Sequence, residues 1–451
     1  MADADATAEE ATADAAPSAR ATLRQFFALE RDVLVLSLSM FAFSLGFQMT
    51  GRYLPRYMSL LGAGGVAIGL YGSVGNLVSA VYPYPGGALS DRIGSRIALT
   101  AFGLASTVGF LVWLFAPVFG VVTLPGFTVG PVDVDGVVLP IGVFLGLFLA
   151  QAWKSFGLGA TFAIVKQSVV PSRLATGFAS TETVRRLAFL VGPLLAAALI
   201  AAFGFAQGFE YVLAVAAVFG LVATVAQHLL YDASDDTVGD SFEGVGQVVA
   251  DLRAMPDELP PLLVGDTLVR FANGMVYVFF VIVVTEFLAV GVTLPVVGRL
   301  SPDAFFGVLL GVEMVIALAS MVPVAKLAER VGLKPVVAIG FAVYAVFPVL
   351  LINAPADPLV VAALFAFSGL RFAGLPAHKA LIVGPAERDA GGRVTGAYYL
   401  LRNTVTIPSA LLGGWLYDAY SPELAFGLAT AVGVVGVVVF LAFGEEFAAY
   451  Q

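Results

Sequence analysis

Apolar runs long enough to cross a bilayer constrain this chain more than any other feature. Roughly 20 consecutive apolar residues span the hydrocarbon core. Twelve such runs can be read, at about 33–53, 66–86, 97–118, 139–166, 174–204, 210–231, 260–288, 304–325, 335–352, 358–383, 394–417 and 422–443. In lipid the backbone must satisfy its own hydrogen bonds, so runs of this length become helices. They lack the strict alternation of barrel strands. Hydrophobic residues make up 59% of the chain and charged residues only 12%, about half the charge of a soluble domain at roughly 25%. The expected fold class is an all-α membrane protein.

Two loops between these runs resemble each other. Gly87-Ala-Leu-Ser-Asp91-Arg92-Ile-Gly94-Ser-Arg96 follows the second run, and Ala325-Lys-Leu-Ala-Glu329-Arg330-Val-Gly332-Leu-Lys334 follows the eighth. Ala175-Thr-Gly177 and Val394-Thr-Gly396 open the fifth and eleventh runs in a similar way. The expected organisation is therefore a duplicated six-helix unit: a disordered acidic tail over 1–30, one half over 31–231, a cytoplasmic loop over 232–258 and a second half over 259–444. Part of the loop, 242–254, is expected to form a surface helix. Internal repeats of this kind are a signature of secondary transporters, with the binding site between them near the midplane.

Basic residues set the orientation. With the N-terminus inside, cytoplasmic segments carry Arg20, Arg24, Arg31, Arg92, Arg96, Lys166, Arg173, Arg253, Lys326, Arg330, Lys334, Lys379, Arg388 and Arg393, against Arg52, Arg56 and Arg299 outside. A multi-pass protein of the cell membrane with both termini cytoplasmic is expected. The net charge of −9 fits a protein adapted to concentrated salt and argues against nucleic acid as a partner. With no cysteine and only His228 and His378, neither a metal site nor a cofactor is expected. No phosphate-cradling Gly-Lys-Ser/Thr loop is present, so ATP drive would need another protein. Nothing in the residues points to an enzyme, and no segment is long enough for the extra domain of a membrane sensor.

Twelve helices in two halves with Gly87–Arg96 between the second and third resemble the major facilitator superfamily over about residues 30–443. The family's loop motif is matched at Gly87, Leu89, Ser90, Asp91, Arg92, Gly94 and Arg96, and departs at Ser95. The resemblance implies that the first, fourth, seventh and tenth helices line a central cavity. It also implies that the fifth and eighth helices face each other, as do the second and eleventh. Gly87, Asp91, Arg92, Gly94, Arg96, Glu329 and Arg330 would then form a cytoplasmic latch, with Asp91 and Glu329 facing the positive N-termini of the eleventh and fifth helices. Gly192-Pro193 resembles, weakly, a motif of proton-coupled drug exporters in the family.

Ionisable residues inside a span are costly and are functional candidates by default. On the expected cavity helices the candidates for substrate contact are Gln48, Gln151, Lys154, Arg270, Asn273, Tyr277 and Arg371. Asp266, Arg270, Asn273 and Tyr277 fall on one helical face. Asp266, Glu313, Arg185, Arg186 and Arg402 are candidates for proton coupling or gating. Glu313 is expected to pair with Arg185 or Arg186, and Asn76 with Arg402; static ion pairs are the competing reading. Cations outnumber carboxylates, and Arg holds carboxylate or phosphate bidentately. The expected function is a monomeric secondary transporter in the lipid bilayer. It would move a small organic solute by alternating access, coupled to protons and favouring anions or zwitterions. The alternatives are a proton-coupled multidrug exporter and, further off, a transport-inactive sensor.

Overall fold

The computed structural model describes residues 31–129, 132–134, 136–157, 174–232, 255–256, 258–295, 298–384 and 391–446. The expected N-terminal tail, the 242–254 surface helix and nearly all of the central loop lie outside the described residues.

The described chain is mostly helical. In order it forms α1 (Arg31–Thr50), α2 (Leu54–Leu60), α3 (Gly65–Val81), α4 (Pro83–Ile93), α5 (Ser95–Leu114), α6 (Ile141–Gln151), α7 (Leu174–Phe203) and α8 (Phe205–Leu230). After the loop come α9 (Leu259–Val276), α10 (Pro302–Val331), α11 (Leu333–Ile352), α12 (Pro358–Gly369), α13 (Leu375–Val383), α14 (Gly391–Thr406), α15 (Ser409–Ala419) and α16 (Pro422–Phe443). Among the described residues nine helices are long and apolar enough to cross a membrane, and Gly65–Val81 and Ile141–Phe156 are shorter apolar helices. Several expected runs are broken. The 394–417 run splits at Pro408 into α14 and α15, because proline lacks the N–H the helix needs there. The 358–383 run passes through a 3-10 turn at Leu370–Phe372.

Antiparallel hairpins decorate one end of the bundle. β1 (Val121–Leu124) pairs with β4 (Val137–Pro140), β2 (Phe127–Val129) with β3 (Val132–Val134), and β5 (Val292–Leu294) with β6 (Gly298–Leu300). The opposite end carries the two similar loops. There the chain turns at Gly94, φ +82°, and at Gly332, φ +90°. A side chain is strained at such angles, which explains glycine at the same place in both loops.

The N-terminal helices pack around α1, which lies against α7 and α8, while α9 and α11 share the surface of α16. Two seams join the groups: α3 against α15, and α7 against α10. Within the C-terminal group α15 lies almost backbone-to-backbone on α9: a Cβ at Gly413 would fall 1.8 Å from the Met275 carbonyl oxygen. Gly413→Ala is therefore expected to lower stability by about 1–3 kcal/mol through overpacking. Gly427→Ala on α16, where a Cβ meets nothing within 4 Å, should be neutral or slightly stabilising through helix propensity. Thermal unfolding of the two variants in detergent checks the contrast.

Candidate functional site

The seams are tied tightly at the hairpin end. The Asp418 carboxylate, at the end of α15, accepts from the Gly65 and Val66 N–H groups at 2.8 and 2.7 Å. These open the first turn of α3, where unsatisfied donors and the helix dipole favour an anion. Arg56 of α2 donates from Nε to Asp303 at 3.0 Å and also pairs with Glu286. Ser59 Oγ donates to the same Glu286 carboxylate at 2.8 Å, and Tyr53 donates to the Asp303 carbonyl at 3.1 Å.

The loop end is different. Gly87 on α4 and Gly396 on α14 both face space in which an added Cβ would touch nothing within 4 Å. Arg92, Glu329 and Arg330 are exposed. Arg96 turns to its own group of helices and donates to the His228 carbonyl at 2.8 Å. The Asp91 side chain, Arg173 and the side chains of 174–176 expected opposite Glu329 lie outside what is described. The Gly332 turn is filled instead by Glu446, whose carboxylate accepts from the Leu333 and Lys334 N–H groups at 3.0 and 2.8 Å. Nothing in the motif distinguishes that partner, which comes from the far end of the sequence.

Between the two ends lie cavities that share walls. A vestibule of about 490 Å³ is bordered by α3, α9, α13 and α14, including Arg270, His378, Lys379, Tyr399, Arg402 and Asn403. Arg270, Arg402 and Asn403 also border an inner chamber of about 250 Å³, together with Asn76, Asn273 and Tyr277. A third chamber, of about 270 Å³, lies between α1, α7 and α10; Gln48, Arg52, Arg185, Arg186, Tyr277, Glu313 and Lys379 are in its wall.

Asp266 sits behind the inner chamber and is 0% exposed. Arg270 Nε reaches its Oδ1 at 3.2 Å, as the i,i+4 spacing leads one to expect. Three further groups converge on Oδ2: Arg402 Nη1 at 3.0 Å, the Tyr398 hydroxyl at 3.2 Å and His378 Nε2 at 3.3 Å. One carboxylate thus joins α9, α13 and α14. The expected pairing of Asn76 with Arg402 is not what the structure shows. Asn76 reaches the Thr406 carbonyl at 3.5 Å, while Arg402 divides its donors between Asp266 and Asn403.

The second buried carboxylate, Glu313 on α10, also departs from expectation. Its Oε1 takes Arg371 Nη2 at 2.7 Å and the Ser368 hydroxyl at 2.6 Å, and Arg52 Nη2 stands 3.8 Å from Oε2. Arg185 and Arg186 are not its partners: Arg185 lies over the Phe189 ring and Arg186 donates to the Met321 sulfur. Arg371 is walled in by Tyr344, Phe372, Phe347 and Tyr277 and is not in the walls of these three cavities. The 3-10 turn that holds it changes the phase of the helix and swings the side chain onto Glu313. A phase change also affects Lys154, which lies in a π-helical stretch, Ala152–Phe156, with Nζ 5.9 Å from the Phe47 ring centre. Neither Lys154 nor Gln151 is in the walls of these three cavities; Gln151 Oε1 is buried without a hydrogen-bond partner among the described residues.

Residues 262–449 match the family model described as the Major Facilitator Superfamily. A relative from Methanocaldococcus jannaschii, described as an uncharacterized MFS-type transporter, is 19% identical over 426 residues, which is 92% of this chain and 95% of that protein. A mutant of the nucleoside transporter NupG superposes with a TM-score of 0.71 at 12% identity, covering 92% of this chain and all of that one. A POT family transporter solved with 5-aminolevulinic acid superposes with a TM-score of 0.70 at 14% identity over 93% of this chain and 99% of its own length. Apolar helices, two seams around a set of arginine-lined cavities, a family match in the C-terminal part and a relative matched along nearly its full length all agree: residues 262–449 match the major facilitator superfamily, and the chain as a whole is similar to membrane transporters of that type.

Proposed function

We propose that this transporter is a secondary carrier that moves a small organic solute by alternating access, with the loop end cytoplasmic and the captured state facing inward. The carrying observation is the asymmetry between its ends. At the hairpin end Asp418, Arg56 and Tyr53 cross between the two helix groups, whereas at the loop end a vestibule leads to Arg270 and Arg402. The shorter apolar helices and the broken runs complete twelve crossings in two six-helix halves, joined by the 232–258 loop. The latch of Asp91, Glu329 and the neighbouring arginines would close when the hairpin end opens.

The cavity walls favour an anionic or zwitterionic solute. Arg270 and Arg402 together outweigh Asp266, and guanidinium groups with spare donors hold planar anions well. The neighbouring folds include carriers solved with an amino acid or with sulfate, which agrees with this class without fixing the solute. Glu313 and Asp266 are the carboxylates available to carry a coupling proton. Glu313 is the stronger candidate, because it lies in a cavity wall while Asp266 is enclosed.

The test uses protein reconstituted in liposomes with a panel of membrane-impermeant organic anions, aromatic sulfonates included. Wild type should accumulate a member of the panel under an imposed pH gradient. Glu313→Gln should lose gradient-driven accumulation by about tenfold or more while still exchanging labelled for unlabelled solute, since the amide keeps the shape but carries no proton. Gradient-driven accumulation that survives in both Glu313→Gln and Asp266→Asn sinks the coupling assignment. Accumulation of lipophilic cations alone would favour the drug-exporter alternative.

A further inference from the structure

Tyr277 belongs to the walls of both the inner chamber and the α1–α7–α10 chamber, and the two differ in chemistry. The inner chamber is bordered by amides and guanidinium groups, Asn76, Arg270, Asn273, Arg402 and Asn403, and among the described residues no carboxylate is in its wall. Arg270 and Arg402 are 24% and 16% exposed there. Arg270 spends Nε on Asp266 and Nη1 on Tyr344, which leaves Nη2 without a protein partner among the described residues. One carboxylate behind two guanidinium groups leaves a positive charge directed at the chamber. Asn273 adds an amide whose Oδ1 is buried without a hydrogen-bond partner among the described residues.

The other chamber has a softer wall of Phe189, Pro193, Leu310, Met314, Met321 and Phe372. Of its cations, Arg52, Arg185 and Arg186 are already engaged, and Lys379 is shared with the wall of the vestibule. The Arg52 guanidinium carbon stands over the Tyr277 ring, 4.1 Å from its centre, and faces Glu313, and Arg185 and Arg186 both have partners of their own. Aromatic rings, thioethers and guanidinium faces together suit a flat apolar group.

We infer that the solute is an amphiphilic organic anion, with its anionic head on Arg270 and Arg402 beside Asn273 and a flat apolar body against Phe189, Met314 and Phe372. This rests on the transporter reading above and narrows its substrate class. A small dicarboxylate would bring its second charge to a chamber that already holds the Glu313 carboxylate and leave the Phe189, Met314 and Phe372 side of it unused, and a lipophilic cation would meet the surplus positive charge of the inner chamber. The chambers meet at Tyr277, so head and body would lie on either side of that ring.

Thermal unfolding of the purified full-length protein tests the class with defined probes: 3-phenylpropionate, its neutral amide, propionate, succinate and tetraphenylphosphonium. A ligand that binds only the folded state raises its stability by mass action. 3-Phenylpropionate should stabilise the protein at concentrations about tenfold or more below those required for the amide or propionate. Asn273→Leu, which removes no ion pair, should raise the concentration of 3-phenylpropionate required and leave the amide unchanged. Met314→Gln should weaken 3-phenylpropionate and leave propionate unchanged. Stabilisation by succinate but not 3-phenylpropionate overturns the amphiphile and keeps an anion carrier. Stabilisation by tetraphenylphosphonium alone overturns both, and stabilisation by no probe overturns the amphiphile class.

Discussion

Replacing Asp266 by alanine should cost on the order of 3–5 kcal/mol of stability, the penalty for removing one partner of a buried ion pair. The carboxylate is fully buried and is shared by Arg270, Arg402, Tyr398 and His378. Without it, two guanidinium groups of like charge face each other across a site with no counter-ion, and α9 loses its ionic link to α13 and α14. Asp266→Asn should lose less, because an amide oxygen still accepts from Tyr398 or an arginine. The ordering of thermal midpoints in detergent, wild type above Asn above Ala, is the expected readout. An alanine variant within about 0.5 kcal/mol of wild type, the usual range of an inconsequential surface change, would mean that the cluster is held by the helices and not the reverse. The converse double variant, Asp266→Ala with Arg402→Leu, should recover part of the loss by removing the stranded charge.

The pattern of what could be read from the residues follows from geometry. Apolar runs and the repeated loop were legible because each is a property of contiguous sequence: run length decides spanning, and a Gly two residues past Arg92 or Arg330 marks the same left-handed turn in both loops. Asp266 with Arg270 was legible because i,i+4 neighbours meet on any regular helix. The other partners of Asp266 were not, since His378, Tyr398 and Arg402 arrive from α13 and α14, and their rotation about those axes is set by packing. Glu313 shows why depth alone misleads. Arg185, Arg186 and Arg371 all lie within helices facing it, but a 3-10 turn at Leu370–Phe372 re-aims Arg371. The π-helical stretch around Lys154 is the same kind of departure from 3.6-residue periodicity.

Weakening the hairpin-end clasp should turn the carrier outward. Asp418→Ala removes two charge-assisted hydrogen bonds to the first turn of α3, and Arg56→Ala removes the bridge to Glu286 and Asp303. Hydrogen bonds to charged groups contribute roughly 1.5–3 kcal/mol each where they are partly buried. A net loss of even ~2 kcal/mol from one state changes the ratio of two conformations by about thirtyfold. The chain contains no cysteine, so pairs of introduced cysteines can be spin-labelled without background. One pair, Leu60→Cys with Tyr420→Cys, places labels at exposed positions on either side of the hairpin end. Another, Ile93→Cys with Lys326→Cys, does so at the loop end. In the Asp418→Ala, Arg56→Ala background the first distance should lengthen and the second shorten, in the same fraction of molecules. That reciprocity is what the proposed alternating access requires: if the two helix groups rock about one set of cavities, an opening at one end appears as a closure at the other. If the hairpin end opens while the loop-end distance is unchanged, the two groups of helices do not move as coupled bodies, and the clasp serves only to hold α3 and α15 together.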